Sequence, residues 1–350
     1  MIFPIKKQPL YMPMLGTFGG GSARGFNPGG SNLLPDLYSF TGHTFTAAQS
    51  GSRNNNIGPT LAQIQSAYSS TSWASNSAYL TMPTNSQGVQ RWAVPMNGTY
   101  TMNLIGAGGA SSDTSKNRGA DVHFTVNLLV GQVLDIMVGQ AGNQILVSGS
   151  GGGGSYVGFS DATTTTYTTT VLGVAGGGGG GRGQSMYASG TTAGDGGGSD
   201  PGTAGTNGNG GGGTPSNGPG GGGGGLLTAG TAADNGAVTS DSAQPFIVNS
   251  GINRGVGNVA TGGGGYVGYG GFGGGGAVYI NNPDSSGVYT RPGAGGGFNG
   301  GGAGSFHGNS ANADFGGYGG SYINTSLVSN GSYGLGGSHA TDGSIVITKV

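Results

Sequence analysis

The side chains that could do chemistry are few and lie far apart in this sequence. The chain has four histidines and no cysteine, and all twelve of its acidic residues are aspartates. The histidines lack metal-ligand spacing, and aspartates in strand or glycine-rich contexts usually form turns. The residues weighed in this way are His43, His123, His307, His339, Asp135, Asp314 and Asp342.

No motif for catalysis accompanies these residues. No carboxylate pair suited to glycoside hydrolysis is recognisable, although aspartates distant in sequence could meet in the fold. No serine has a nucleophile-elbow context. Gly-x-Gly-x-x-Gly matches are expected by chance in a chain with 87 glycines among 350 residues, and no Walker lysine follows them. We therefore expect no enzyme, no catalytic or cofactor-binding residue, no cofactor and no metal site.

Composition narrows the class of protein further. Charged residues are 7% of the chain, against about 25% in ordinary domains, and the net charge is −1. Nucleic acid and anionic membranes require clustered Lys and Arg, so neither is an expected partner. No apolar stretch approaches the length of a membrane span, which argues against membrane insertion. Fifteen Tyr, twelve Phe and two Trp favour a folded chain over a disordered one.

The amino terminus predicts an extended arm over residues 1–35. Pro4, Pro9 and Pro13 break its apolar run, which disfavours a secretory signal peptide. The lack of cysteine indicates assembly in a reducing cytoplasm. A floppy tail and an arm that docks on another subunit both remain open, and its apolar content favours the arm. The docking residues would be Phe3, Leu10, Tyr11, Met12, Met14, Leu15 and Phe18.

Residues 36–150 are typical of antiparallel strands. Apolar side chains alternate with polar ones over 100–104, 122–128 and 134–138, which is the period of a half-buried strand. Residues 88–95 form a fourth candidate, and Asn97-Gly98 supplies a turn. Only Leu61 to Tyr68 is compatible with a helix. The fold class predicted is an all-β antiparallel sandwich with almost no α-helix.

Residues 151–342 are rich in glycine, with short strand-like inserts such as 277–280 and 288–291. Collagen is excluded because the glycines are contiguous rather than placed at every third residue. A flexible linker would not carry so many interspersed aromatic residues. We expect a bundle of polyglycine II helices, in which outward-pointing backbone groups pair between neighbouring helices. Residues 343–350 form a last strand.

An ordered series of motifs resembles the glycine-rich domain of the anaplastic lymphoma kinase and leukocyte tyrosine kinase ectodomains. The resemblance covers most of the chain after the arm, and it implies a tumour-necrosis-factor-like sandwich with an inserted polyglycine II bundle and a carboxy-terminal strand that returns to the sandwich. The receptors carry cysteines that this chain lacks, so signalling is not implied. The matching segments are GPTLAQIQSAY at 58–68, GVQRWAVPMNGTYTMNLIGAGGA at 88–110, RGADVHFTVNLLVGQVLDIMVGQAG at 118–142, GGGGSYV at 151–157, VLGVAGGGGG at 171–180, GGFGGGGA at 270–277 and GSIVITKV at 343–350.

The segment PLYMPMLGTFGGGSARGFNPGG at 9–30 looks like the leading part of phage tail and fibre proteins, some of which end in polyglycine II tips. This resemblance implies a bacteriophage virion protein, most simply a tail-fibre or tail-associated adhesin. Two other classes fit less well: a secreted ligand-binding module and a depolymerase. The closest alternative is a structural baseplate, collar or capsid-decoration subunit without receptor binding.

Expected partners are other virion proteins, further copies of the chain in a trimer, and a host surface glycan or outer-membrane protein as receptor. The expected location is the virion. Receptor-contact candidates lie in the loop 281–287 and in aromatic segments further on, where burial in the core is an equally open alternative. They are Asn281, Asn282, Asp284, Tyr318 and Tyr322.

Overall fold

A computed structural model of the protein describes most of the chain after the arm. The described residues are 34–48, 57–84, 86–111, 117–145, 148–160, 170–181, 202–213, 220–231, 239–241, 243–246, 257, 259–261, 266–281, 289–304, 315–336 and 338–350. The predicted arm, 1–35, therefore lies outside them except for its last two residues. Residues 34–350 form one compact unit.

Strands dominate the described residues, and one short helix, α1 (Leu61–Ala67), joins them. Thr60 caps this helix: its side chain accepts the backbone N–H of Gln63, and the Gln63 side chain accepts the backbone N–H of Thr60. The strands are β1 (Gly42–Thr46), β2 (Leu80–Thr81), β3 (Val89–Ala93), β4 (Gly98–Ile105), β5 (Ala120–Leu128), β6 (Val133–Met137), β7 (Gln144–Ile145), β8 (Ser148–Gly149), β9 (Ser155–Phe159), β10 (Thr170–Ala175), β11 (Thr239–Asp241), β12 (Val259–Thr261), β13 (Tyr266–Gly268), β14 (Val278–Asn281), β15 (Tyr289–Arg291), β16 (Tyr322–Ile323), β17 (Ser329–Leu335) and β18 (Ser344–Lys349).

Two antiparallel sheets form a sandwich, which confirms the predicted fold class. The five-stranded sheet has the order β1-β18-β4-β5-β17, and the six-stranded sheet has the order β16-β10-β9-β6-β3-β2. The last strand lies in the five-stranded sheet between β1 and β4. Smaller sheets of two or three strands come from β7 and β8, from β11 and β12, and from β13 to β15.

The sandwich takes strands from both sides of the predicted boundary at residue 150. Four strands of its two sheets, β9, β10, β16 and β17, come from the range assigned to the glycine-rich region. Strands and glycine-rich segments therefore alternate along the chain. The alternation has a physical reason: the glycine-rich segments continue the strands directly, as shown below.

The main core lies between the two sheets. Large side chains from both sheets are fully buried there, among them Phe45, Trp92, Tyr100 and Phe124. Trp92 also donates its indole N–H to the hydroxyl of Tyr38 at 2.7 Å, so that its polar end is satisfied.

A second core covers the outer face of the six-stranded sheet. Tyr156 of β9 stacks on Phe246 with ring centroids 5.9 Å apart, and Phe272 packs into the same cluster. Because both faces of this sheet are buried, β9 shows no alternation in burial. The five-stranded sheet differs: β5 alternates strictly between buried and more exposed positions. Its outer face is open.

Candidate functional site: the glycine lattice

The two described aspartates that were considered as catalytic or metal-binding candidates make structural contacts. Asp135 is fully buried and its Oδ1 lies 3.0 Å from Nε of Arg91 on the adjacent strand. Asp342 accepts the backbone N–H of Ala141 at 2.8 Å. Among the described residues, no group of three or more His or Asp side chains could hold a metal ion.

The histidines are equally separate. The His43 ring meets those of Phe45, Tyr68 and Trp73 edge-on, at centroid distances of 4.8, 4.4 and 4.9 Å. Its removal from water lowers the pKa of His43 to about 4, because burial penalises the charged form. His339 instead contacts the backbone of Ser111, with Nε2 at 2.8 Å from its nitrogen. His307 lies outside the described residues.

The part of the molecule that stands out is a lattice of glycine-rich segments, which we call the glycine lattice. Its segments continue the strands of both sheets from one end of the sandwich: residues 106–110 follow β4, 149–154 precede β9, 176–181 follow β10 and 316–321 precede β16. Hydrogen bonds join the segments that continue one sheet to the other sheet. For example, the backbone N–H of Ala120 in the five-stranded sheet donates at 2.8 Å to the carbonyl of Gly176, which follows β10 of the six-stranded sheet. The remaining segments of the lattice are 139–143, 202–205, 209–213, 220–225, 270–277 and 293–304.

Backbone hydrogen bonds in the lattice repeat every third residue. Along 293–298, Gly293 and Gly296 donate to residues 149 and 152. The next pair, at 294 and 297, donates to 221 and 224, and the third pair, at 295 and 298, donates to 317 and 320. Six consecutive residues thus donate their backbone hydrogen bonds to three neighbouring segments in turn. In a β-strand the backbone hydrogen bonds would alternate between two partners with a period of two, and in an α-helix they would form within the helix itself.

The segment 149–154 repeats the pattern with other neighbours. Residues 150 and 153 donate to 143 and 140, whereas residues 151 and 154 donate to 276 and 273. Residue 152 donates to Gly178 on a third side. The period of three is therefore a property of the lattice rather than of one segment, and it satisfies the buried backbone without strands.

The lattice is too closely packed for side chains at most glycines. A Cβ built on Gly177 would overlap the carbonyl oxygen of Gly152, and one built on Gly176 would overlap that of Gly319. Such contacts involve backbone on both sides, so neither partner can turn aside. Alanine is accepted only where its methyl has room, as at Ala294 and Ala303, which are nevertheless fully buried.

Short polar side chains take over the hydrogen bonds at the lattice borders. The Ser155 hydroxyl accepts the N–H of Gly139 at 3.1 Å and donates to the carbonyl of Ile105 at 2.7 Å. The Ser321 hydroxyl accepts from Gly176 at 3.0 Å. Deeper in the lattice, Oδ1 of Asn299 accepts from Gly208 at 2.6 Å. These side chains let the lattice end against strands without leaving donors unpaired.

The outer end of the lattice, away from the sandwich, is where connecting segments begin and end. Gly181 forms a bridge with Phe315, and a Cβ on Gly304 would meet the carbonyl oxygen of Phe315. Gly202 adjoins Ala303 in the same way. These four positions, Gly181, Gly202, Gly304 and Phe315, flank the segments 182–201 and 305–314, which lie outside the described residues. Two long connections are therefore anchored side by side.

The predicted site residues fall in different places. All seven apolar residues named for the arm lie outside the described residues, as do Asn282 and Asp284. Asn281 ends β14 and pairs with Tyr289 of β15 across the predicted loop. Tyr318 is half-buried within the lattice. Tyr322 stacks on Phe298 at 4.3 Å and packs against the second core, which favours the core alternative for this residue.

Sequence reasoning missed the polar residues that accept hydrogen bonds from lattice glycines. Ser155, Ser321 and Asn299 are fully or almost fully buried, yet each looks like an ordinary loop residue in a glycine-rich context. The available signal was the position of a lone serine between a glycine run and a strand, as in GGGGSYV at 151–157.

No protein-family model matches the chain, and no curated protein sequence matches it either. Its function is therefore inferred from the lattice and the sheets. In the described part of the chain, no helix has the length and apolar character that crossing a bilayer requires.

Proposed function

We propose that this chain is a non-enzymatic bacteriophage virion protein, a tail-fibre or tail-associated adhesin. In this proposal the arm anchors the chain to other virion proteins, the sandwich forms the body and associates with further copies of the chain, and the lattice is a bundle of polyglycine II helices. The lattice holds recognition segments at its outer end.

The assignment to polyglycine II rests on the period of three. This helix has three residues per turn and no internal hydrogen bonds, so successive residues point their donors towards three different neighbours. Its natural handedness places φ near −75°. Among the described glycines, positive φ values occur at seven positions only, and within the lattice proper these are Gly273 and Gly274. Glycine is achiral and can adopt either sign of φ, so the nearly uniform absence of positive φ in the lattice is consistent with helices of a single hand.

The display role rests on one observation: the residues that flank the segments 182–201 and 305–314 lie at the outer end of the lattice. A laterally bonded lattice is rigid, because each helix is held by several neighbours and not by its own side chains. Gly181 and Phe315 flank the segments 182–201 and 305–314, and the lattice residues 176–180 and 316–321 separate these two flanking residues from β10 and β16. Rigid scaffolds that present loops at one end are a common basis of recognition.

The first test compares the full chain with a version that lacks residues 1–35. Purified samples are incubated with intact host-type cells and with glycans and outer membranes isolated from those cells. We expect both forms to bind the cells equally. Failure of both to bind, together with incorporation of the full chain alone into particles, would show a purely structural subunit and overturn the adhesin.

The second test examines the predicted receptor loop. Asn281 pairs with Tyr289, so residues 282–288 can be replaced by an Asn-Gly turn that closes the hairpin of β14 and β15. Binding to cells is expected to fall at least tenfold while the melting temperature stays the same. Replacement of residues 160–169 by the same turn between Phe159 and Thr170, which pair in β9 and β10, is the matched control for loop removal. Unchanged binding in the first variant would remove Asn282 and Asp284 from the recognition site.

A further inference from the structure

The strand β17 is an end strand of the five-stranded sheet, and in the described part of the chain no further strand pairs with it. Six of its seven residues are exposed. Its sequence, SNGSYGL, has neither the lysine nor the proline that commonly prevents an edge strand from pairing with another chain. Its one irregularity is a register shift between Ser329 and Ser332, so that residues 332–335 pair regularly with β5.

The other three edges of the two sheets, as far as the structure describes them, are protected. At the opposite edge of the five-stranded sheet, Thr46 of β1 donates its N–H to the hydroxyl of Tyr68 at 2.8 Å. Its carbonyl accepts from the side chain of Gln90 at 3.0 Å. The end strands of the six-stranded sheet, β2 and β16, have two residues each and therefore offer few free backbone groups. This leaves β17 as the edge at which the sandwich can be extended.

The backbone groups of β17 point alternately towards β5 and towards the open side. Gly336, which follows the strand, donates to Gly119 on the β5 side at 3.0 Å. Because the direction alternates along an antiparallel strand, the backbone groups of Gly334 also point to β5, and those of Tyr333 and Leu335 point to the open side. No described residue outside the sheet bonds to the backbone of Tyr333 or Leu335.

The side chains of Tyr333 and Leu335 add an exposed apolar surface beside these backbone groups. The two residues pair with Val122 and Ala120 of β5, which are buried, so they lie on the inner face of the sheet. They are nevertheless 38% and 49% exposed, since no described strand lies beyond β17. Free backbone groups with adjacent apolar side chains are the combination that a strand added to a sheet edge covers.

We infer that β17 pairs with β17 of a second copy of this chain, antiparallel and about a two-fold axis at Tyr333. In this register Tyr333 lies opposite Tyr333 of the second copy, and Leu335 lies opposite Gly331. Gly331 has no side chain, so it leaves room for the leucine. A register centred on Leu335 would run past the end of the strand, whereas this one uses residues within it. The pairing joins the five-stranded sheets of both copies into one sheet.

The match between Gly331 and Leu335 on either side of the axis favours a second copy over a strand from another protein. A two-fold contact closes with two copies, so the expected assembly is a dimer instead of the trimer expected from the sequence. The inference rests on the proposed association between copies of the chain, and it depends neither on the arm nor on receptor binding.

Cysteine crosslinking tests the register, because the chain has no cysteine of its own. Tyr333→Cys places two thiols across a hydrogen-bonded pair whose Cα atoms are about 5.5 Å apart, within the range of a disulfide. Leu335→Cys, on the same strand and face, is the matched control, because four residue steps of about 3.4 Å separate it from its counterpart along the sheet. We expect mild oxidation of the full chain to give a disulfide-linked dimer from Tyr333→Cys only.

Light scattering after size exclusion, over a range of concentrations, measures association without a crosslink. A contact made by one edge strand is small, so the proportion of dimer should rise with concentration. Leu335→Lys places a charge on the edge and should weaken the dimer at least tenfold. Leu227→Lys replaces a leucine of similar exposure, 54%, on the glycine lattice and should leave the dimer unchanged. Melting temperatures of all variants check that the fold is intact.

Three results would overturn the inference. They are a chain that stays monomeric at every concentration, a trimer that Leu335→Lys leaves intact, and crosslinking of Leu335→Cys that equals or exceeds that of Tyr333→Cys. The trimer would leave the proposed association of copies standing. A dimer that Leu335→Lys dissociates, in a chain that binds no cell, would count against the adhesin and support the pairing of β17.

Discussion

Gly177 faces the carbonyl oxygen of Gly152 so closely that no side chain fits between the two segments. The same residue donates its N–H to Gly296 at 2.7 Å, so it is bonded on one side and packed on another. Glycine in this lattice is selected for close approach, and the entropy lost in ordering it is offset by the backbone hydrogen bonds that the approach allows.

Gly177→Ala is expected to destabilise the protein by at least about 3 kcal/mol, because overpacking against backbone costs as much as or more than overpacking against side chains. Gly334→Ala is the matched control, since a Cβ there would meet only Cβ of Asp121 at 3.8 Å. Chemical denaturation of both variants measures the difference. Equal stability would mean that the two glycine segments do not pack as described.

Ser155 joins the lattice to both sheets through one hydroxyl that accepts from Gly139 and donates to Ile105. Ser155→Ala leaves a buried donor and a buried acceptor without this partner, at an expected cost of about 1–3 kcal/mol. Ser326→Ala, at an exposed turn, is the control. A change in unfolding free energy no larger than that of the control would contradict the bridging role.

His43 gives the stability a pH dependence. Its pKa in the folded chain is lowered to about 4, against about 6.5 in the unfolded chain, because burial disfavours the imidazolium. The unfolded chain therefore binds more protons between these values, so stability is complete above pH 6.5 and falls as the pH drops towards 4. Because the ring is partly exposed, we expect a loss of about 1 kcal/mol between pH 7 and pH 5.

The measurement is urea denaturation across that pH range for the unmodified chain and for His43→Phe, which keeps an aromatic ring among Phe45, Tyr68 and Trp73. The variant should lose the slope. If it retains the full pH dependence, another histidine is responsible.

At the scale of elements, the strand β18 pairs with two strands that lie far earlier in the sequence. It lies between β1 and β4, and its residues Ile345 and Ile347 are fully buried. The five-stranded sheet cannot close until β18 has been synthesised, and β18 follows all the other described strands in sequence.

Ile347→Ala should cost about 2–5 kcal/mol, the usual range for removing a buried aliphatic side chain. Thr348→Ala, the exposed neighbour on the same strand, should change the unfolding free energy by less than about 0.5 kcal/mol. Thermal denaturation followed by circular dichroism separates the two. A small effect of the first variant would mean that β18 is not a central strand.

The strands that could be predicted are those with one buried face. β4 and β5 alternate in sequence because alternate side chains reach the core, and the predicted segments match them closely. β6 was also predicted, although it is buried on both faces, because the polar Asp135 stands between its apolar residues. β9 is buried on both faces, so its sequence SYVGF has no alternation to detect. β17 was not predicted either: its sequence SNGSYGL is almost wholly exposed, and only pairing with β5 makes it a strand.

The lattice contacts could be predicted in kind but not in detail. Glycine-rich runs with interspersed aromatics indicated laterally bonded backbone, yet a glycine carries no side chain that marks which neighbour it faces. Gly293 and Gly295 are two residues apart and donate to residues 149 and 317. Such assignments depend on how the connecting segments return, which the sequence pattern does not contain.

At the scale of the whole molecule, the sandwich and the lattice are continuous. Strands of both sheets run directly into lattice segments, and hydrogen bonds such as that from Ala107 to Gly153 at 2.9 Å link the continuations of different sheets. Neither part has a boundary at which the other could unfold alone. We therefore regard residues 34–350 as one cooperative unit.

Amide hydrogen exchange tests this continuity together with the lattice itself. If the glycine-rich segments were linkers, their amides would exchange at the rate of an unfolded chain, whatever the state of the strands. We expect instead that the amides of 176–181 and 293–298 are protected to the same degree as those of β4 and β5, because their donors are bonded to three separate neighbours. Exchange measured by nuclear magnetic resonance resolves these positions individually.

In Gly177→Ala the protection should fall at once in the glycine segments and in β4 and β5 if the unit is cooperative. A fall confined to the glycine segments would show that the lattice opens independently and that the sandwich alone carries the stability.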